Sequence, residues 1–446
     1  MSLIKFFSTN GQTERVDFRA ALLMGQAPDK GLYMPEQIPK IRIEQFSKMS
    51  YPEIAYEVIK PYLGDLVSDS DLRAMLEDAY NYDVPVERVY DEKYVMRLDR
   101  GPTCSFKDYA ARAMGRLIQY FLKQEGRSIL ILTATSGDTG SAVAHAFYGL
   151  DNVLVVVLFP EKEVTERQRR QMTTLGKNIF PLAVNGKFDD CQALVKQAFA
   201  DADLSALNLS SANSINIGRL LPQAVYYFYA HSRVAQRGEE IVFSVPSGNF
   251  GDLMGGLLAK KMGLPVKKFV VATNENDEFP RFMNTGIYEP IRPSKNCVSN
   301  AMNVGHPSNL ARLFNLYGGQ MDETGQVSLQ PDLAAMRKDI YAVSITDEET
   351  RQTIKEAYSQ YKVLLEPHGA VAFAGLMKYL KECGDRSPCV SLETADPAKF
   401  PEEIVRATGI NPPLPAAMAR LDELEENFEM MDGQYASLKD YLRRFL

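Results

Sequence analysis

Short, continuous apolar runs alternate with amphipathic stretches through the middle of this 446-residue chain. The apolar runs predict strands over 129–134, 153–159, 179–184, 241–245 and 268–272. The stretches between them predict helices over 139–148, 164–175, 188–200, 219–236 and 253–262. Because the runs are apolar throughout, they indicate mainly parallel strands that are buried on both faces. The alternation of strands and helices predicts an α/β fold.

The chain divides into three predicted regions. Residues 1–95 are mixed in character and punctuated by proline, so they predict an N-terminal lobe. Residues 96–220 predict a smaller α/β domain, and residues 221–446 predict a larger one. Outside the alternating region, helical segments are expected at 43–48, 70–80 and 421–431, the last of them strongly acidic.

Composition narrows the class of function. The formal net charge is −7 and no region has a basic excess, so neither nucleic acid nor a membrane is an expected partner. Five scattered cysteines, without a CxxC or HExxH motif, predict neither a disulfide framework nor a metal site. The start lacks the apolar core of a signal peptide. We therefore expect a cytoplasmic protein with a small-molecule partner, as a monomer or a homodimer.

Lys107 lies in the segment Gly101-Pro-Thr-Cys-Ser-Phe-Lys-Asp-Tyr109, between a predicted turn and a helix-like run over 108–122. A helix N-terminus disfavours a protonated amine, and a lysine with a lowered pKa is a better nucleophile. The segment alone fits equally well an exposed lysine that opens a helix.

Two glycine-containing turns each follow a predicted strand and precede a predicted helix. They are Ser136-Gly-Asp-Thr-Gly140 and Ser247-Gly-Asn-Phe-Gly-Asp252. Turns at helix N-termini bind anions through backbone N–H groups, although either could be an ordinary connection that binds nothing. Neither matches the P-loop or the dinucleotide fingerprint, which disfavours a nucleotide-binding protein. One lysine with two such turns is what an enzyme that uses pyridoxal 5'-phosphate (PLP) requires.

Three further segments carry candidate chemistry. Thr394 follows a predicted strand and is placed either to hydrogen-bond a ring nitrogen or to cap a turn. Segments 211–216 and 303–312 offer hydroxyls, amides and Arg312 either to a substrate anion or to helix caps. His306 and His368 are interpreted as buried, hydrogen-bonded residues rather than as acid–base groups.

Taken together, these motifs resemble the threonine synthases, in the longer form found in many bacteria and in fungi, within the fold-type II PLP enzymes. The resemblance covers nearly the whole chain. Its motifs are 7–11, 27–35, 101–108, 135–140, 213–216, 218–223, 246–252, 366–370 and 394–400. It implies a tryptophan-synthase-β-like fold with two α/β domains, mainly parallel sheets and an N-terminal lobe.

The resemblance also implies roles for individual residues. Lys107 would be the catalytic residue and would form the imine bond to the PLP aldehyde. The implied cofactor-binding residues are Lys107, Gly248, Asn249, Phe250, Gly251, Asp252, Thr394 and Asp138. The implied substrate-binding residues are Ser105, Thr135, Ser136, Thr139, Asn213, Ser214, Asn216, Ser308, Asn309 and Arg312.

The implied reaction is the last step of threonine biosynthesis, in which a carbon–oxygen lyase converts O-phospho-L-homoserine and water to L-threonine and phosphate. Two alternatives stay open: a related phospho-lyase that acts on another phosphorylated amino acid, and a PLP-binding protein without catalysis. The family usually has histidine where Asp396 stands, and often an aromatic-and-small pair where Ile217-Gly218 stands. The sequence does not indicate an effector site.

Overall fold

The structure is a computed structural model that describes residues 3–236 and 238–446. Its smaller main sheet has five strands, all parallel to their neighbours. Their order across the sheet is Glu429–Met431, Ile179–Val184, Val153–Pro160, Ile129–Ala134 and Leu209–Ser210. These strands are buried where the sequence is continuously apolar, which confirms the predicted mainly parallel α/β fold.

The larger sheet has six strands and is parallel except at one edge, where the last two strands pair antiparallel. Their order is Ile340–Ser344, Val266–Thr273, Ile241–Pro246, Cys389–Glu393, Lys93–Arg97 and Val86–Tyr90. Two short antiparallel pairs complete the strands, Phe6–Ser8 with Tyr33–Pro35 and Gln320–Met321 with Val327–Leu329.

Helices cover the sheets and build the N-terminal lobe. The α-helices are Phe18–Met24, Tyr51–Leu63, Asp69–Ala79, Lys107–Glu125, Asp138–Phe147, Glu166–Thr173, Phe188–Ala200, Ile217–Leu220, Ala224–Val234, Gly251–Met262, Glu278–Thr285, Leu310–Leu316, Leu333–Asp339, Asp347–Tyr361, Pro367–Cys383, Pro401–Thr408 and Tyr435–Leu442. Among the described residues, none of the helices combines the length and the apolar character that a bilayer crossing requires.

The prediction of an acidic helix over 421–431 is wrong. Only Leu421–Glu423 forms a 3₁₀ turn, and Glu429–Met431 is a strand that pairs with Ile179–Val184. The connecting acid Glu426 accepts two hydrogen bonds from Arg169, at 2.8 and 2.9 Å. Pairing with the sheet and this ion pair outweigh the local helical pattern, because helix propensity is a weak prior against tertiary contacts.

Two other helical predictions need shortening. The helix expected over 219–236 is interrupted by a 3₁₀ turn at Leu221–Gln223, where Pro222 lies. The segment 43–48 contains only one 3₁₀ turn, Phe46–Lys48.

The three-region division stays a prediction. In two places, however, a strand from one predicted region pairs with the sheet of another. Strands Val86–Tyr90 and Lys93–Arg97 pair within the larger sheet, although they precede or straddle the boundary at residue 95. Strand Glu429–Met431 belongs to the smaller sheet, although it lies near the end of the chain. Each sheet is therefore completed by a segment that is distant in sequence.

Candidate active site

A cavity of about 750 Å³ is lined by residues that follow strands of both main sheets. Its wall includes Lys107, the turn after Ile129–Ala134, the turn after Ile241–Pro246, and Thr394 after Cys389–Glu393. Ile241–Pro246 and Cys389–Glu393 are parallel neighbours in the larger sheet, so their carboxyl ends lie at one edge, and the cavity joins that edge to the carboxyl end of Ile129–Ala134 in the smaller sheet. Ligands of open α/β sheets bind at this edge.

Lys107 is the first residue of helix Lys107–Glu125. The segment before it is fixed to the end of the larger sheet, because the Phe106 amide donates to the Thr394 carbonyl at 2.9 Å. The Lys107 Nζ lies 4.5 Å from the centroid of the Phe106 ring. Burial lowers the pKa of this amine below its ordinary value, and the nearby Arg219 and Lys399 lower it further against the opposing charge of Asp138. The site thus favours an unprotonated, nucleophilic amine.

The first glycine turn is held by its own threonine. Thr135 Oγ1 accepts hydrogen bonds from the backbone N–H groups of Gly137, at 2.9 Å, and Gly140, at 2.7 Å. Gly137 has φ of 136°, and a Cβ there would lie 2.4 Å from the side chain of Gln168. Only glycine fits this position, because any side chain would clash with Gln168 and the backbone conformation is strained for other residues.

Asp138 begins the helix after this turn and forms a buried ion pair that the sequence did not predict. Its Oδ1 accepts from Lys399 Nζ at 2.9 Å and from Gln168 Nε2 at 2.9 Å. Burial alone would raise the pKa of Asp138, but the charges of Lys399 and Lys107 hold it well below its ordinary value. An ionised carboxylate is therefore maintained beside Lys107. Lys399 is the missed partner, and its place in the motif 394–400 was the signal for it.

The second glycine turn carries an unusual backbone. Phe250 has φ of 61°, in the left-handed region that residues other than glycine rarely adopt. A Cβ on Gly248 would lie 2.9 Å from Met302 Cα and 3.0 Å from the Ala301 carbonyl oxygen, so this glycine is required by close packing. Helix Gly251–Met262 starts at the turn. The first N–H groups of a helix have no intrahelical acceptor, so they are available to an anion in the cavity.

Thr394 connects the cavity to a buried acid. Its hydroxyl donates to Glu366 Oε1 at 3.3 Å, and Glu366 caps helix Pro367–Cys383. His368 hydrogen-bonds the other oxygen of Glu366 at 2.5 Å and accepts from the Ala301 amide at 3.1 Å. His306 is hydrogen-bonded to the Tyr288 hydroxyl at 2.7 Å. Both histidines line the cavity with their ring nitrogens engaged.

Most of the expected site residues lie in the cavity wall, but four do not. The wall includes Lys107, Gly248, Asn249, Phe250, Gly251, Asp252, Thr394, Asp138, Thr135, Ser136, Thr139, Asn213, Ser214 and Ser308. The four outside it are Ser105, Asn216, Asn309 and Arg312. Asn216 caps helix Ile217–Leu220 with its side chain, so its polar atoms serve the fold.

Arg312 does not occupy the place expected for a substrate ligand. Its guanidinium donates to the carbonyls of Tyr33, at 3.2 Å, Ser214, at 2.9 Å, and Ile215, at 2.6 Å. It also donates to Asn309 Oδ1 at 2.7 Å. These bonds engage the guanidinium behind the cavity wall, so Arg312 positions the segment that contains Ser214 instead of facing a ligand.

Arg219 is the functional candidate that sequence reasoning missed. It lines the cavity at 3% exposure and makes one hydrogen bond, from Nη1 to the Ala212 carbonyl at 2.7 Å. Its Nε has no partner among the described residues, and burial lowers its pKa to about 10. A buried cation without an acid partner is costly unless an anion joins it. Its position six residues after Asn213, in the same motif region, was the available signal.

These residues fit PLP. The cofactor needs an amine for its aldehyde, and Lys107 supplies one whose pKa is lowered by burial. It needs N–H groups for its phosphate, and the turn before Gly251–Met262 presents a helix N-terminus whose Gly248 leaves no room for a Cβ. The Thr394 hydroxyl stands at the end of a neighbouring strand, where a ring nitrogen could be hydrogen-bonded.

Comparison with known families agrees with this geometry. Residues 85–394 match the family model described as pyridoxal-phosphate dependent enzyme. Residues 5–80 match the threonine synthase N terminus, and residues 369–442 match the threonine synthase C-terminal model. The three matches follow one another along almost the whole chain.

Individual relatives give the same result. The chain is 40% identical to threonine synthase from Haemophilus influenzae, covering 96% of this chain and 97% of that protein. It is 37% identical to the enzyme from Escherichia coli K12, covering 98% of each chain. PLP-bound threonine synthase from Brucella melitensis superposes with a TM-score of 0.91 at 36% identity, over 99% of each chain. Yeast threonine synthase has a TM-score of 0.89 at 29% identity, over 98% of each chain. The chain therefore belongs to the threonine synthase family of PLP-dependent enzymes.

Proposed function

We propose that this chain is a threonine synthase that converts O-phospho-L-homoserine and water to L-threonine and phosphate. The observation that carries the proposal is one cavity that brings together the Lys107 amine, whose pKa is lowered, and the Arg219 guanidinium, whose buried Nε has no partner among the described residues. The first suits a carbonyl cofactor, and the second suits an anionic substrate.

The reaction breaks the bond between Cγ and the phosphate oxygen and one C–H bond at Cβ, adds the hydroxyl of water at Cβ, and forms a new C–H bond at Cγ. When bound, PLP supplies an aldehyde that reacts with amines and a ring that stabilises negative charge on the neighbouring substrate carbons. Lys107 is the base placed to move protons on the substrate, because its buried amine has a lowered pKa. Asp138 stays ionised beside it through its ion pair with Lys399.

Arg219 is proposed to bind the substrate phosphate. Asn213 and Ser214 lie in the same wall, six and five residues before it, and offer an amide and a hydroxyl. A guanidinium with an unsatisfied Nε matches the geometry of a phosphate or carboxylate. Holding the phosphate against a cation also stabilises it as a leaving group, because negative charge develops there as the bond breaks.

The turn at Ser136 and Thr139 is proposed to bind the carboxylate of the substrate. Both residues line the cavity, and Thr139 lies in the first turn of helix Asp138–Phe147. Hydroxyls and backbone N–H groups at a helix start favour an anion. The remaining turn, Gly248–Asp252, is then left for the cofactor phosphate, and Thr394 for the ring nitrogen.

The proposal is tested by locating the cofactor and the product. The purified protein, treated with borohydride, should yield a reduced PLP adduct on the peptide that contains Lys107, and Lys107→Ala should yield none. NMR of the product from O-phospho-L-homoserine should give threonine. An adduct on another lysine would reject the assigned site, and a 2-oxo acid as the product would assign the chain to phospho-lyase chemistry instead.

A further inference from the structure

Asp252 is an acid in a turn that is expected to bind a phosphate. It lines the cavity at 5% exposure, as the second residue of helix Gly251–Met262. Its Oδ1 accepts hydrogen bonds from the hydroxyls of Tyr226, at 2.5 Å, and Tyr227, at 2.6 Å. Its Oδ2 is buried and has no partner among the described residues. A carboxylate beside a phosphate repels it, so an ionised Asp252 would weaken the binding of a phosphate at this turn.

We propose that Asp252 is protonated in the PLP-bound enzyme and that its Oδ2–H donates a hydrogen bond to the cofactor phosphate. This inference rests on the proposed function, because it requires the phosphate at the turn 247–252. The two tyrosine hydroxyls engage the lone pairs of Oδ1, so the remaining oxygen is the one that can carry the proton. A neutral acid with its donor at Oδ2 would satisfy both the orphaned oxygen and the phosphate.

The surroundings of Asp252 support the neutral form. Burial raises the pKa of Asp252 to about 6, against the opposing effects of the hydrogen bonds from Tyr226 and Tyr227 and of the charge on Lys107. Tyr226 and Tyr227 lie on helix Ala224–Val234, which packs against the helix of Asp252, and Lys107 begins helix Lys107–Glu125. A bound phosphate adds negative charge at close range, which raises the pKa further and favours the protonated acid at neutral pH.

The chain offers a matched pair of variants at this position. Asp252→Asn keeps the shape, keeps an oxygen for the two tyrosines and places an N–H₂ donor where Oδ2 stands. Asp252→Ala removes both the acceptor and the donor. If Asp252 is a neutral donor, asparagine can make the same hydrogen bond from the position of Oδ2. If Asp252 is an ionised acceptor, asparagine cannot replace it.

The experiment uses the holoenzyme and two readouts other than turnover. Infrared difference spectra between wild type and Asp252→Asn report whether a protonated carboxylic acid is present at pH 7.5. The dissociation constant of PLP, measured by fluorescence after dialysis, reports the phosphate contact. We expect the protonated-acid band in wild type, unchanged PLP affinity in Asp252→Asn, and PLP affinity weaker by about tenfold or more in Asp252→Ala.

Either absence of the protonated-acid band in wild type, or PLP affinity in Asp252→Asn as weak as in Asp252→Ala, would overturn the inference. Failure of the proposed function looks different, because wild-type protein would then form no PLP adduct at Lys107. A wild-type holoenzyme that binds PLP normally but lacks the band rejects only the role of Asp252.

Discussion

Replacing Arg219 with methionine tests whether the buried guanidinium binds a ligand or stabilises the fold. Among the described residues, the Arg219 guanidinium has one hydrogen bond and an unpartnered Nε, so its charge is poorly compensated. Methionine fills similar space without a charge. We therefore expect the unfolding free energy of PLP-free Arg219→Met to be unchanged or to rise by about 1 kcal/mol, because replacing buried charges with apolar groups is often neutral or stabilising.

The same substitution should damage substrate binding. Hydrogen bonds to a charged group contribute about 1.5–3 kcal/mol each, and each 1.4 kcal/mol is a factor of ten. Loss of one such bond predicts a rise in KM for O-phospho-L-homoserine of about 10- to 100-fold, with PLP content unchanged. Steady-state kinetics and the PLP absorbance of the same preparation provide the two measurements.

Arg312→Met is the matched control. Arg312 is also a fully buried arginine, but it donates to three backbone carbonyls and to Asn309. Removing it leaves those acceptors unpaired and should lower the unfolding free energy by about 3 kcal/mol or more. Urea unfolding of both variants distinguishes the two sites. If Arg219→Met is destabilised as much as Arg312→Met and its KM is unchanged, Arg219 is a structural residue and our reasoning fails.

Three further changes have directions fixed by the structure. Lys399→Met leaves Asp138 buried without its partner, so we expect a loss of about 3–5 kcal/mol in urea unfolding. The lowered pKa of Asp138 stabilises the wild-type fold above its ordinary value of 3.8, and this contribution is lost as the pH falls below that value. The difference in unfolding free energy between wild type and variant should therefore narrow on acidification, and a difference that stays constant with pH would contradict the pairing. For PLP-free Asp252→Asn, the raised pKa of about 6 predicts that wild type loses stability relative to the variant as the pH rises from 3.8 to 6; parallel stability curves would refute this shift. Gly137→Ala should lower the unfolding free energy by about 2 kcal/mol or more and reduce turnover, because φ is 136° and the new Cβ would meet Gln168. A variant with the melting temperature and activity of the wild type would show that this strain is absent.

The sequence predicted the parts of the site that depend on local pattern. Apolar runs such as 153–159 could be recognised as strands because a parallel strand that is buried on both faces is apolar at nearly every position. The turns at Ser136 and Ser247 could be predicted because each follows such a run and precedes a helix. That both turns meet Lys107 in one cavity depends on how the two sheets pack, which the structure shows.

What the sequence could not predict depends on contacts between distant segments. The ion pair of Lys399 with Asp138 joins positions 261 residues apart, and no local pattern records it. The sequence also could not separate Arg312 from Arg219. Both follow polar, asparagine-containing segments, and only the packed structure shows that the Arg312 guanidinium donates to three backbone carbonyls whereas Arg219 lines the cavity.

The strand Glu429–Met431 has a consequence for how the protein is made. It covers the edge strand Ile179–Val184, which leaves the ribosome some 250 residues earlier than its partner. During that interval the nascent chain presents an apolar strand edge, the kind of surface on which other chains pair and aggregate. A chain that stops before residue 429 would leave that edge unpaired, so completing this strand removes a site at which other chains could pair with the sheet.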